Sequence, residues 1–203
     1  MPTYKLTYFP AKALAEPLRM LLSYGGEDFE DYRFNREDWP SIKPTMPFGQ
    51  VPVLEWDGHK INQSVALARY LGKKYGLAGN TDFENLEIDS IVDTVHDFRW
   101  KIAVAHYEPD EAIKEKKYQQ VLSDVIPYYL DKLDAVAQAN KGHLALKKLT
   151  WADFALAGMI DYMSAMARMD LLAKHSSLKL VVDNVLALPK VREWVAKRPV
   201  TEF

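Results

Sequence analysis

Phe48-Gly49-Gln50-Val51-Pro52-Val53-Leu54-Glu55-Trp56-Asp57-Gly58-His59-Lys60-Ile61-Asn62-Gln63-Ser64 is the stretch whose reading decides the fold of the first part of the chain. Asp57-Gly58 is a type I′ turn signal, because both central residues of that turn need positive φ. Set between Val53-Leu54-Glu55-Trp56 and His59-Lys60-Ile61, it predicts a β-hairpin. A helix follows from Ser64 to Tyr75. Upstream, Tyr4 to Phe9 is β-rich and stops at Pro10, and Phe29 to Phe34 reads as a second strand. Between them Leu14, Leu18, Leu21 and Leu22 recur at helical spacing, which predicts a helix over Ala13 to Tyr24 closed by Gly25-Gly26. The order β-α-β, a loop region, β-β-α describes a small mixed sheet with helices packed on it.

The rest of the chain differs in kind. Residues 1–82 hold 7 of the 11 Pro and 7 of the 9 Gly; residues 83–203 hold the remaining 4 and 2, so the second part reads as nearly uninterrupted helix. The connector falls between Gly76 and Asp82, giving units over 1–79 and 80–203. Thr81-Asp82-Phe83-Glu84 has the form of a capping box. The helix it opens carries Ile88, Ile91, Val92, Val95, Phe98 and Ile102 on one face and Asp89, Asp93, Asp97 and Lys101 on another. Thr150-Trp151-Ala152-Asp153 is a second cap, with Leu149 and Phe154 placed as a hydrophobic staple, and Leu188-Pro189 opens a last helix through Val195. A bundle of about five helices is expected.

Composition removes several classes of function. At 203 residues the chain is long enough to bury roughly 70% of its unfolded surface. With 26 Lys+Arg against 28 Asp+Glu the net charge is −2, which lacks the basic footprint of a nucleic-acid binder. Lys114-Glu115-Lys116-Lys117 reads as a solvated helix face. The absence of cysteine excludes disulfides, thiolate metal sites and a cysteine nucleophile. The five histidines form no His-Glu-x-x-His, and no phosphate-cradling glycine motif occurs, so no metal is expected. The longest apolar run, Phe154 to Ile160, is far too short to cross a bilayer, and no signal-like segment opens the chain. A cytoplasmic protein is the expectation.

Four places can carry chemistry. Val51-Pro52 is a trans bond bounding an edge strand on frequency alone. In sheets of this order, however, a proline opening the third strand recurs facing a ligand, and a cis bond would leave the Val51 amide and carbonyl outside the ladder. Gln63-Ser64 stands at a helix N-terminus, either as a plain Ser cap or as a carboxylate site. Trp39 and Lys43 offer a flat donor and a cation. Tyr8 sits at the carboxyl end of the first strand, where open α/β sheets bind ligands.

Tyr4-Lys5-Leu6-Thr7-Tyr8-Phe9, Glu30-Asp31-Tyr32-Arg33, Asp38-Trp39-Pro40, Pro47-Phe48-Gly49-Gln50-Val51-Pro52, Gln63-Ser64-Val65-Ala66, Ile91-Val92-Asp93-Thr94 and Leu149-Thr150-Trp151-Ala152-Asp153-Phe154 together resemble the sigma-class glutathione transferases of insects. That group holds a cockroach allergen; haematopoietic prostaglandin D synthase is a more distant likeness. The resemblance implies a thioredoxin-like N-terminal domain, α+β with a cis proline, followed by an all-helical domain that holds a small hydrophobic electrophile. It implies glutathione as cosubstrate and no other cofactor, a homodimer, and no nucleic-acid or membrane partner. Tyr8 then stands at the sulfur, with Trp39 and Lys43 at the glycyl carboxylate. Gly49, Gln50 and Val51, beside Pro52, line the backbone, and Gln63 and Ser64 take the γ-glutamyl carboxylate. Asp97 reaches the γ-glutamyl amine in the partner subunit, and Phe48 takes the place of an inter-subunit aromatic. Pro10, Ala11, Arg99, Ile102, Ala103 and His106 are the candidates for the electrophile pocket. Three departures from the prostaglandin synthase stand out: Leu14 in place of an arginine, Val104 in place of a tryptophan, and His96 in place of an aspartate of its metal site. A non-catalytic crystallin-like relative and a hydrophobic-ligand carrier are the alternatives.

Overall fold

The computed structural model describes residues 3–201; the outer ends of the two expected units, 1–2 and 202–203, lie outside them. Strand β1 (Tyr4–Tyr8) is followed by a 3₁₀ turn (Ala13–Ala15), helix α1 (Glu16–Tyr24) and β2 (Phe29–Arg33). Short α2 (Trp39–Ile42) leads to the hairpin β3 (Val53–Trp56) and β4 (His59–Asn62), then α3 (Ser64–Lys74). The sheet order is β2-β1-β3-β4, with β1 parallel to β2 and antiparallel to β3. Asp57 and Gly58 take φ of 46° and 78°, as the type I′ turn requires.

Two elements differ from expectation. The first helix starts at Glu16, one turn later than Ala13, because Ala13 adopts φ 38° and breaks the spiral. The buried Arg19 side chain holds that bend by donating to the carbonyls of Ala11 at 2.8 Å and Lys12 at 3.3 Å. The loop region before the hairpin is a chain of single turns, Arg36–Asp38, Trp39–Ile42, Lys43–Thr45 and Pro47–Gly49, each too short to leave a periodic signal.

The helical part contains α4 (Asp82–His106), α5 (Glu111–Gln120), α6 (Ile126–Ala139), α7 (Trp151–Ala167), α8 (Ser176–Leu186) and α9 (Pro189–Lys197). A π turn (Val121–Val125) joins α5 to α6, so these six helices form five rods. The Thr81 capping box is formed: Thr81 Oγ1 accepts Glu84 N–H at 3.1 Å. Ile88, Val92, Val95, Phe98 and Ile102 are buried as the periodicity requires. Central α7 is almost wholly buried and lies against both α4 and α1. Gly158 makes the second contact possible, since a Cβ there would meet Pro17 N at 2.5 Å.

At the head of α7, the fully buried Asp153 accepts Thr150 N–H at 2.8 Å and Leu144 N–H at 2.7 Å. The two halves of the chain also share an ionic cluster. Glu16, fully buried on α1, accepts Trp194 Nε1–H at 2.8 Å and pairs with Arg198 at 2.7 Å and Arg19 at 3.1 Å. Arg19 reaches on to Asp31 at 2.8 Å. No helix of the described residues is long and apolar enough to cross a membrane.

Candidate active site

Tyr8 closes β1 and is 7% exposed, its ring edge-on to Phe9. The backbone amide of Leu14, just past the bend at Ala13, favours the charged form of the Tyr8 hydroxyl. Burial pushes the phenol pKa up, against the Leu14 hydrogen bond and the guanidinium of Arg19, which lies 5.9 Å from the ring centroid. Tyr8 therefore keeps its proton at neutral pH and is available as a donor.

The stretch 39–64 forms a rim beside it. Trp39 stacks on Phe34 at 5.5 Å and meets Phe9 edge-on at 5.3 Å, so its ring is fixed by aromatic packing next to Tyr8's strand. Lys43 folds over Gly49: a Cβ at that glycine would lie 3.2 Å from Lys43 Cε, and its φ is 58°. The Val51–Pro52 bond is cis, and Val51 lies outside the ladder, which pairs Thr7 with Val53.

Gln63 and Gln50 meet, Nε2 donating to Oε1 at 3.3 Å. Of the two readings of Gln63-Ser64, the plain Ser64 cap is not formed. Ser64 is the first helical residue, and Gln63 is the N-cap, with φ 78°, ψ 96° and no side-chain cap bond. The first turn of α3 thus presents amide N–H groups and the positive end of its dipole toward the same rim. A non-glycine residue held at such a φ is strained, and strain of this kind gathers at ligand sites.

The structure thus joins Lys43 with Gly49 and Gln50 with Gln63, and sets Tyr8 and Trp39 on one aromatic wall. Asp97 stands apart. It is exposed on α4, its charge felt by His96 and Tyr129, and no described contact ties it to the rim within the chain.

Of the expected electrophile-pocket residues, Ile102 and Ala103 are in the helical core, 0% and 2% exposed. His106 Nδ1 lies 3.1 Å from Tyr118 Oη. That hydroxyl donates to the Met166 carbonyl at 2.6 Å, so His106 is the donor to it. Arg99 is half-buried, with its Nε unpaired, and its charge acts on Tyr8, His96 and Tyr162.

Two further residues complete this side and carried no signal in a sequence with 11 tyrosines. Tyr107 and Tyr162 share a hydroxyl–hydroxyl bond of 2.9 Å, and both interact electrostatically with Tyr8. Arg99 and the two hydroxyls suit an electrophile that carries a polar acceptor and gathers negative charge as it is attacked.

Known proteins match the chain along its length. Residues 2–73 match the glutathione S-transferase N-terminal domain and residues 96–198 the C-terminal domain. A glutathione S-transferase of Anopheles gambiae is 54% identical over the whole of both chains. Hematopoietic prostaglandin D synthase of Gallus gallus is 42% identical over 99% of each. A solved structure of prostaglandin synthase D of Nilaparvata lugens superposes with a TM-score of 0.94 at 46% identity, covering 98% of this chain and all of that one. With a thioredoxin-like domain leading into an all-helical one and relatives matched end to end, the chain belongs to the glutathione S-transferase family: it is an enzyme of that kind and takes glutathione as its cosubstrate.

Proposed function

We propose that this transferase is a sigma-class, dimeric, cytoplasmic enzyme that conjugates glutathione to hydrophobic electrophiles, with Tyr8 activating the thiol. The observation that carries the reading is the state of Tyr8: buried at the end of β1, with its phenol pKa raised by that burial so that it keeps its proton. A free thiol has a pKa of about 8.5, so only a few per cent is thiolate at neutral pH. A hydrogen bond from Tyr8 to the charged sulfur is worth about 1.5–3 kcal/mol, which lowers that pKa by roughly one to two units. The thiol proton leaves to solvent, and the thiolate attacks the electrophilic carbon. An aryl halide loses its halide; an α,β-unsaturated carbonyl passes charge to its oxygen, beside Arg99, Tyr107 and Tyr162, and the resulting enolate takes a proton from solvent at carbon.

Residues 1–79 hold glutathione and 80–203 supply the electrophile pocket. Lys43 and Trp39 take the glycyl carboxylate. Gly49, Gln50 and Val51, beside Pro52, pair with the peptide, and Gln63 and Ser64 take the γ-glutamyl carboxylate. Asp97 reaches the γ-glutamyl amine across a two-fold interface, a role supported by its separation from the rim within one chain. Phe48, 91% exposed at φ 51°, is a candidate to enter the neighbouring subunit. The test is retention on immobilised glutathione followed by turnover of a generic aryl halide. Retention without conjugation would favour a crystallin-like protein or a ligand carrier.

The likeness to prostaglandin synthases favours a second reading, glutathione-dependent isomerisation of a prostaglandin endoperoxide. The apolar Leu14 side chain counts against it, since it offers no donor beside the thiolate.

A further inference from the structure

An apolar depression outside the glutathione site lies in the helical domain. It encloses about 550 Å³ between α6 and the segment joining α7 to α8. That volume falls within the range of small-molecule sites, roughly 300–1,000 Å³. None of its lining residues belongs to the rim around Tyr8. Two backbone irregularities shape it. The π turn (Val121–Val125) shifts the register of the helix and carries Leu122, 39% exposed, into the wall. On the opposite side α7 ends at Arg168 in the left-handed conformation (φ 57°), which delivers Met169, 44% exposed. A π turn inside a long helix is costly and often marks a functional site. Here it adjoins a hollow floored by Ile126, Leu130 and Leu171.

The hollow is charged on one side. Asp131, Asp134 and Asp170 line it against a single lysine, Lys174, and a histidine, His175, already held by Asp131 at 3.2 Å. Asp134 accepts Leu178 N–H at 2.9 Å, which offsets the positive end of α8, and Asp170 accepts Leu172 N–H at 2.9 Å. In each of these contacts only one carboxylate oxygen is engaged. Among the described residues no three carboxylates or imidazoles gather closely enough to hold a metal ion. The charge is spread around an apolar floor, and that matches a diffuse cation carried on an apolar body.

We propose that this depression is a second ligand site, independent of the transferase site, that binds amphipathic organic cations: flat or chain-like apolar molecules bearing one ammonium or aromatic-iminium charge. The apolar part lies against Leu122, Ile126, Leu130 and Met169, and the charge faces Asp131 and Asp170.

Thioflavin T, a flat benzothiazolium dye that fluoresces when held rigid, is a suitable probe for the full-length protein. It should bind once per chain, more tightly at low ionic strength, and be displaced by dodecyltrimethylammonium but not by saturating S-hexylglutathione. Ala173→Trp, which fills the depression from an exposed lining position, should abolish binding. The double substitution Asp131→Asn with Asp170→Asn keeps both side-chain acceptors, removes two charges, and should weaken binding about ten-fold. Both variants should retain aryl-halide turnover, which verifies their fold. Displacement by S-hexylglutathione, or binding unchanged in Ala173→Trp, would overturn the site. If Ala173→Trp proved equally damaging to the anionic dye 8-anilinonaphthalene-1-sulfonate, and that dye bound as tightly as thioflavin T, the assignment of a cation would be wrong.

Discussion

The backbone amide of Leu14 acts on the hydroxyl of Tyr8 across the bend that Ala13 introduces ahead of α1, pulling its pKa down against the effect of burial. The residue that lacks a polar side chain thus acts on Tyr8 through its main chain.

Tyr8→Phe deletes the hydroxyl and little shape. The expected loss is about ten- to a hundred-fold in kcat/KM for an aryl halide, with glutathione affinity within a few-fold of normal. Ultraviolet difference titration should show the bound thiol pKa rising by about one to two units. Near-normal turnover would remove Tyr8 from the mechanism.

Asp97→Asn should raise KM for glutathione about ten-fold while leaving kcat for saturated enzyme nearly unchanged, because the group acts on binding. Light scattering should return a two-fold dimer for wild type and variant alike. A fully active monomer would contradict the shared site.

His96 is pushed down to about 4, first by burial and then by the Arg99 charge, against an opposing pull from Asp97. Its folded pKa lies below the unfolded value of about 6.5, so the native state favours the neutral ring. The corresponding stability is complete above about pH 6.5 and is lost as pH falls toward 4, by up to about 3 kcal/mol. Urea unfolding across that window should show this acid loss in wild type and a flatter profile in His96→Leu. Parallel profiles would assign the acid loss to other groups.

Asp153→Ala leaves the N–H groups of Thr150 and Leu144 without their carboxylate in a fully buried position. The expected cost is about 2–4 kcal/mol, a fall in Tm of roughly 5–15 °C by calorimetry. Surface aspartates such as Asp93 should move Tm very little by comparison.

Prostaglandin D2 formation from prostaglandin H2 with glutathione should be weak in the wild type and rise in Leu14→Arg, by about ten- to a hundred-fold if the new guanidinium reaches the thiolate. Efficient, selective D2 formation by the unmodified chain would show that Leu14 is no obstacle.

Local chemistry made much of this molecule legible. Asp57-Gly58 specified its turn without help from the rest of the chain, and Thr81 with Glu84 specified a helix start. What stayed hidden depends on contacts distant in sequence. Ala13 takes a left-handed conformation that its own preferences oppose, because Arg19 grips the carbonyls ahead of it. Tyr107 and Tyr162 become a pair only when α4 and α7 pack, 55 residues apart. Gln63 replaces Ser64 as the N-cap for a similar reason: the chain arrives from β4 and the first turn of α3 with its direction already set.

Glu16 has a consequence for how this molecule can be taken apart. Its carboxylate belongs to the thioredoxin-like half by sequence, yet its nearest cation at 2.7 Å, Arg198, and its indole partner, Trp194, both come from the final dozen residues described. A fragment ending before α9 would strand a fully buried anion with Arg19 as its remaining ionic partner, and losing one member of such a cluster costs several kcal/mol. The connector between the halves is therefore no seam. Grafting the first half onto another helical domain requires that the graft bring its own counterpart of α9, and a ribosome must make the chain through Arg198 before the first helix has its full set of partners.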